Sequence, residues 1–588
     1  MNEQEVRSLI SQVEAAISGA IGHALPDLAG ADPGVRRSEH ADFQSNVALA
    51  LAKRARTRPA ELATAVSEAL RTNGRAPVDD VTVSGPGFLN IAVADAVIWA
   101  QVAARVASPR LGIGTPEQGV RTVIDYSAPN IAKEMHVGHL RTTILGDSLA
   151  RVLGFLGGDV IRQNHLGDWG TQFGMLIQYL DEHPDATWRH DQLSEGTSTV
   201  SALDGLYRAA RAAFDADAEF AERARTRVVA LQAGHEATIA RWRDIVAESE
   251  FAFGEIYDRL DVLLQPADST GESFYNAWLP DVVAELTAAG ITVQSEGALV
   301  VYSDEVTGPD GNPVTLMVRK KDGGYGYDTT DLATIRHRIR DLKADRILYV
   351  VDARQALHFR LIFEAARRAR WLTDNIEVIH VAFGTVLGPD GRPFKTRSGE
   401  TVKLMDLLDA AVDKARATVA EKGHDLPEDE LNQIAEQAGI GAVKYADLST
   451  SRTRDYVFDL DRMVSFVGNT GVYLQYAHTR MCSILRKAGD TTVAVDPTLS
   501  LHPAERALAL ELDVFGDVLA EVGRLLEPHR LCGHLYDVAK AFTDFYEACP
   551  VLSADPPARA NRLALCELAA RTLRQGLDLL GIAAPERM

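Results

Sequence analysis

Cysteine is scarce. The 588-residue chain has four, Cys482, Cys532, Cys549 and Cys566, all in its last fifth. None forms a Cys-x-x-Cys pair and no histidine cluster stands beside them, which argues against a disulfide framework and against a structural zinc site. They read as buried thiols. Long apolar runs are also missing: none approaches the roughly 20 residues that a membrane helix needs. The opening stretch MNEQEVRSLISQVEAAI is amphipathic and acidic and lacks the basic start and continuous apolar core of a secretory signal. A cytoplasmic protein with no membrane partner is expected. Positive charge is in deficit, with a formal net charge of −21. Indiscriminate nucleic-acid binding, which rests on phosphate neutralisation, is therefore disfavoured. A local basic surface would still suffice for a specific partner. Candidates are Arg336, Arg338 and Arg340; Arg367, Arg368 and Arg370; and Arg452 with Arg454. Taken alone, each group reads more readily as a solvated helix face. Internal repeats and low-complexity segments are absent.

What is present divides by rhythm. The length implies roughly three to four domains. Residues 1–110 read as an α+β domain, in which "PAELATAVSEAL" starts a helix at proline and "VDDVTVSGPGFLNIAV" alternates like two strands joined by a Gly-Pro-Gly turn. From 118 to 405 strand and helix alternate. "RTVIDYS" is a β-branched strand, "LRTTILGDSLARVLGFLG" has helical apolar spacing, and "GDVIRQNHLGDWG" is a strand ending in a polar loop. "DRILYVVD", a helix over 356–370 and "IEVIHVAFG" resume the pattern after a charged, helical stretch from about 185 to 295. The simplest account is one doubly wound parallel sheet interrupted by a helical insertion. A helical connecting segment over 406–465 and an all-α domain over 466–588 complete the chain.

The stretch "SAPNIAKEMHVGHLRTTILG", residues 127–146, carries the chemistry. It runs from the end of a predicted parallel strand through a loop of small residues into a helix. Unpaired N–H groups and the positive end of the helix dipole make such a junction an anion site. His136 and His139, three apart, share a helix face and place two N–H donors on one phosphate. Gly138 removes a side chain where a ligand meets backbone. Read without context, the histidine pair is equally two core or surface imidazoles, or part of a metal site lacking an obvious third ligand.

"HVGH" at 136–139, after the first strand of a doubly wound sheet, resembles the HIGH motif of class I aminoacyl-tRNA synthetases. The surrounding "SAPNIAKEMHVGHLRTTILGD" and "NHLGDWGTQFGMLI" resemble the arginyl-tRNA synthetase family, and the likeness continues to the closing "LGIAAPERM". The resemblance implies a Rossmann-like catalytic domain, an N-terminal α+β domain that meets tRNA and an all-α anticodon-binding bundle. It implies a monomer that joins L-arginine to tRNA(Arg) using ATP, with Mg²⁺ accompanying the triphosphate and no structural zinc. Arginine activation in the family generally requires bound tRNA, and the same is expected here by analogy.

On this reading His136 and His139 stabilise charge at the reacting phosphate, and Gly138 forms the floor beneath adenine. The class has a second signature, resembling Lys-Met-Ser-Lys-Ser. Its counterpart is "GRPFKTRSGETVKL", which departs from the pattern because Ser398 stands at the second lysine position. Lys133, just before the histidines, is expected to supply the missing cation, with Lys395 assisting. Gly167, Asp168, His380 and Gly384 lie near predicted strand ends and are expected beside ATP. The resemblance places Asp125 and Asn130 at the amine or carboxylate of arginine. Tyr327 and Asp331, i and i+4 at a predicted helix start, point the same way. Asp331 is expected to take the guanidinium, Tyr327 to lie beside it and Gln355 to complete the pocket. In the helical end, Tyr473, Tyr476, Arg480 and Arg486 are expected at tRNA, by phosphate contact and base stacking. Two rival readings are an adenylate-forming enzyme for another small molecule and a non-catalytic RNA-binding protein.

Overall fold

The computed structural model describes residues 5–72, 77–193, 199–394, 402–421, 427–489 and 494–588. It falls into two compact units. One joins the residues up to 116 with 466–578 and 583–588; the other holds 117–465 and 579–582.

In the first unit the Gly-Pro-Gly turn forms as expected. Gly85 and Gly87 adopt φ of +54° and +136°, conformations costly for residues with a Cβ. They reverse the chain between β3 (Val78–Ser84) and β4 (Phe88–Val93), which pair antiparallel with β1 (Val35–Arg37) and β2 (Phe43–Ser45) in the order β1-β2-β4-β3. Alternate residues of β4, Leu89, Ile91 and Val93, are buried, the period-two pattern of a strand with one covered face. Beyond residue 466 the unit is helical. Its core gathers Leu508, Leu512, Leu519, Leu535, Phe542 and Phe545 from the helices Pro503–Asp513, Phe515–Leu525 and His529–Ala548. Cys532, Cys549 and Cys566 are buried thiols outside any disulfide, and Cys482 is partly buried. A buried ion pair, Arg105 to Asp513 at 3.0 Å, ties residues distant in sequence.

The second unit is built on a parallel sheet of five strands: β5 (Arg121–Asp125), β6 (Asp159–Leu166), β7 (Ser269–Gly271), β11 (Arg346–Tyr349) and β12 (Glu377–His380), in the order β12-β11-β5-β6-β7. Apolar residues on both faces explain why Val123, Ile124, Ile347 and Leu348 are completely buried. Chain order runs one way from β5 through β6 to β7 and then the other way through β11 and β12. The direction switches between β5 and β11, where Asp125 lies level with Tyr349. Ligands of open α/β sheets bind at the carboxyl ends of strands beside such a switch point.

Several elements differ from the sequence reading. β7 lies inside the span read as purely helical; three residues carry too little pattern to register as a strand. A separate antiparallel sheet of β8 (Val293–Ser295), β9 (Ala298–Thr307) and β10 (Pro313–Arg319) was not foreseen. A short parallel pair, β13 (Val386–Leu387) with β14 (Tyr456–Val457), links the sheet region to the segment after helix Glu428–Leu448. Five of the eight arginines in the candidate basic clusters are engaged within the protein, whereas Arg367, Arg370 and Arg454 are exposed. Arg336 and Arg340 both grip Glu285, Arg338 is fully buried, Arg368 meets Asp304 and Glu364, and Arg452 donates to the Ala382 carbonyl.

Candidate active site

The loop from β5 to the helix Val137–Phe155 is held in an uncommon shape. Ser127, Ala128 and Ala132 have φ of +73°, +48° and +60°. Each is a left-handed conformation that an L-residue with a Cβ adopts only when its surroundings enforce it. Side chains from three neighbouring elements provide the enforcement. The N–H groups of Ser127, Ala128 and Ala132 donate to Thr142 Oγ1, Asn164 Oδ1 and Ser249 Oγ at 3.0–3.1 Å. Ser127 Oγ and Tyr257 Oη lie 2.7 Å apart, and Asn164 Nδ2 donates to the same phenol. Burial pushes the Tyr257 phenol up to about 12, so it stays protonated.

At the end of this loop the two histidines cap the helix. His136 Nδ1 accepts the Gly138 N–H at 3.0 Å, and His139 Nδ1 accepts the His136 N–H at 3.1 Å. Because both Nδ1 atoms are acceptors, each neutral ring carries its proton on Nε2. Burial holds both rings below the usual imidazole range, aided for His136 by Arg354; His139 is lowered to about 3 by burial and by His136. The pair, 4.0 Å apart between ring centroids, is therefore two neutral imidazoles, each with one Nε2–H donor left for a ligand. Gly138 is required by this packing: a Cβ there would stand 2.7 Å from His136 Cε1.

The segment that follows residues 395–401 is stitched to the histidine turn. Val137 donates to the Val402 carbonyl and Leu404 to the Met135 carbonyl, both at 3.0 Å. Lys403 Nζ lies 2.7 Å from Glu134 Oε2. Lys395 and Ser398 lie outside the described residues. Lys133 is placed with its ammonium over the Tyr207 ring, 5.0 Å from the centroid.

Not all the residues expected at ATP and arginine face open space. Asp125 is 6% exposed, and its Oδ2 accepts from Arg338 Nη2 at 2.7 Å. Asp168 is consumed by a turn, accepting from Ser273 N and Oγ at 2.8 and 2.6 Å. Gly167 lies against Asn130, whose amide oxygen would be 2.5 Å from a Cβ at Gly167. His380 Nε2 donates to the Val351 carbonyl at 3.0 Å. At Gly384 the backbone of Arg454 crosses so closely that a Cβ would lie 2.8 Å from it. Asn130 and Gln355 are exposed, the latter as the residue preceding the helix Ala356–Arg368.

Two of the residues expected at the guanidinium, Tyr327 and Asp331, are brought to one histidine, His358. Tyr327 opens the helix Tyr327–Arg340, is 70% exposed and stands 5.4 Å from the His358 ring. Asp331, one turn on, meets the same histidine at 2.6 Å. A cleft of about 1040 Å³ opens here, with Trp169, Glu272, Tyr327 and Asp328 among its walls. Glu272 was missed in the sequence, where nothing marks it beyond a preceding glycine. Burial, reinforced by the charges of Asp331 and Asp168, pushes its carboxyl up to about 7.

The four residues expected at tRNA lie on the helix Gly471–Ala488. Tyr476 is exposed and Tyr473 stands beside Tyr536. Arg480 stacks over the Tyr546 ring at 4.4 Å, and Arg486 donates to the Glu586 carbonyl.

Comparison with known proteins covers nearly the whole chain. Residues 102–460 match the family described as tRNA synthetases class I (R), catalytic domain; residues 474–588 match the DALR anticodon binding domain; residues 7–93 match the arginyl tRNA synthetase N terminal domain. The chain is 79% identical to the arginine–tRNA ligase of Frankia casuarinae across the full length of both. It is 52% identical to that of Streptomyces coelicolor over 99% of this chain and all of the relative. Two solved structures, the arginyl-tRNA synthetases of Plasmodium falciparum and Thermus thermophilus, superpose with TM-scores of 0.82 and 0.81 at 27% identity, over 99% of this chain and all of theirs.

Proposed function

The chain belongs to the arginyl-tRNA synthetases of class I, and from that premise we infer that it is an arginine–tRNA ligase. It activates L-arginine with ATP to arginyl-adenylate and passes the arginyl group to the 3′-terminal adenosine of tRNA(Arg). The single observation that carries the residue assignment is the imidazole pair at the switch point of the sheet. As the arginine carboxylate attacks the α-phosphate, negative charge grows on the phosphoryl oxygens. His136 and His139, neutral and with Nε2–H groups free, donate to those oxygens. Their backbone-fixed Nδ1 atoms mean that no reorganisation accompanies the step. Mg²⁺ would accompany the triphosphate and offset part of its charge. Lys133 and Lys395 supply further positive charge to the phosphates.

Asn130 holds the amine and carboxylate end of arginine, and Tyr327, Asp331, Gln355 and Glu272 form the pocket for its side chain. Asp125 is assigned to Arg338 instead of to the substrate, because its carboxylate is buried and already paired. Asp168 is assigned to positioning Glu272, since it accepts two hydrogen bonds from the next residue, Ser273. Tyr473, Tyr476, Arg480 and Arg486 are assigned to tRNA. We take the enzyme to act as a monomer in the cytoplasm, where its tRNA substrate is used. Among the described residues no helix is long and apolar enough to cross a membrane.

Aminoacylation of purified tRNA with labelled arginine, with lysine and citrulline as controls, tests the assignment; charging with either control at a rate comparable to arginine would reject it. A pH profile tests Glu272. Its charge is present above about 7 and lost below, so the KM for arginine should rise as the pH falls from 8 to 6. Glu272→Gln should raise that KM about tenfold at pH 8 and flatten the profile, because a charge-assisted contact is gone at every pH. An unchanged profile in the variant would assign the titration to another group.

A further inference from the structure

His358 is not among the residues assigned to bind or transfer anything, yet it contacts both acids in the first turns of the helix assigned to the arginine side chain. It lies on the first turns of the helix Ala356–Arg368 and faces the helix Tyr327–Arg340. Its Nε2 is 2.6 Å from Asp331 Oδ2 and its Nδ1 is 3.4 Å from Asp328 Oδ1. A ring with a carboxylate at each nitrogen donates from both, so it is the imidazolium form. Burial works against that charge, but the two carboxylates outweigh it and push the group up to about 9. Asp328 is itself anchored, its Oδ2 accepting the Met317 N–H at 2.9 Å. Other titratable groups around this centre include Tyr327, whose ring is 5.4 Å away, and Glu272, Tyr275 and Tyr349, all of which feel the charge of Asp331.

Three carboxyl groups thus gather here, and His358 hydrogen-bonds one of them, Asp331, and pairs with a second, Asp328, at 3.4 Å. The chain Met317–Asp328–His358–Asp331 fixes the last carboxylate by one oxygen only. Asp331 Oδ1 takes no hydrogen bond from the described residues.

We propose that His358 is a positioning residue for arginine selection: it holds Asp331 by Oδ2 so that Oδ1 is presented to the guanidinium, and it balances the acidic cluster while the pocket is empty. The inference rests on the assignment of Asp331 to the guanidinium. A carboxylate fixed in this way meets a planar cation without first losing rotational freedom, and it discriminates by charge against a neutral ureido analogue of the same shape.

The test is steady-state aminoacylation by the full chain carrying His358→Gln, which retains a donor and removes the charge. The KM for arginine should rise about tenfold or more, as expected for a weakened charge-assisted contact, while kcat and the KM for ATP change by less than about threefold. The preference for arginine over citrulline should narrow by a similar factor. Asp328→Asn, which loosens the histidine from its other side, should give a smaller shift of the same sign, and it decides the matter if His358→Gln does not fold. An unchanged or lowered KM for arginine in a folded His358→Gln enzyme would overturn the proposal, the lowered value meaning that His358 competes with the substrate. Equal losses in kcat and in the KM values for both substrates would overturn it as well. Failure of the underlying assignment looks different: Asp331→Asn would then leave the KM for arginine unaltered.

Discussion

Replacing His139 with alanine should slow adenylate formation by about 10²–10³-fold, the loss typical of removing one donor aimed at a developing oxyanion. The KM values for ATP and arginine should move much less, because the contact strengthens only as charge accumulates in the transition state. Single-turnover formation of labelled arginyl-adenylate in the presence of tRNA measures the step directly. His139 also caps its helix, since its Nδ1 accepts the His136 N–H. Loss of a cap costs about 1 kcal/mol, so a modest fall in thermal stability accompanies the kinetic effect without explaining it. His139→Asn separates the two roles: its amide oxygen can take the N–H and its amide nitrogen can donate. That variant should keep the stability and recover part of the rate. A His139→Ala enzyme that formed adenylate at the normal rate would remove the imidazole from the chemistry. The same geometry fixes the pH response. Both rings are held below the usual imidazole range, His139 down to about 3, so neither should contribute an inflection to the rate between pH 6.5 and 8.5.

How far this site was legible depends on how local each signal is. The strand, the histidine cap and the helix stand within 35 residues of one another, and a β-branched run followed by a 3.6-residue period revealed them. The i, i+4 pair of Tyr327 and Asp331 was legible for the same reason, and the structure brings both to His358. Asp168 and Gly384 were placed near strand ends correctly, but direction was not legible: the first turns to Ser273 and the second lies under the Arg454 backbone. Glu272 had no local mark, because its environment is made by Asp331, 59 residues away by sequence number, and by burial. The positive φ angles at Ser127, Ala128 and Ala132 were equally hidden. They are imposed by Thr142, Asn164 and Ser249, from three other elements.

Asp125 is the sharpest case, and it yields the second large prediction. From sequence it is an acid at the end of the first strand, where substrates bind. The arginine cluster 336–340 offered the missing clue: residues i and i+4 share a helix face, whereas i+2 points nearly opposite. Arg336 and Arg340 accordingly reach the same Glu285, and Arg338 turns inward to Asp125, 213 residues away in the chain. Arg338 has no exposed surface; its Nε donates to Gln163 Oε1 at 2.8 Å and its guanidinium lies 4.8 Å from the Tyr349 ring centroid. Asp125→Ala would strand that guanidinium without a counter-charge, a change that costs about 3–5 kcal/mol. The expected result is a catalytic unit that unfolds at markedly lower temperature or denaturant concentration. A substrate ligand would behave otherwise, raising the KM for arginine at unchanged stability. Pairing Asp125→Ala with Arg338→Met removes both charges, and much of the lost stability should return, since the penalty lies in the unpaired ion more than in the missing bond. Additive losses in the double variant would show that Asp125 and Arg338 are not coupled, and would return Asp125 to the substrate pocket.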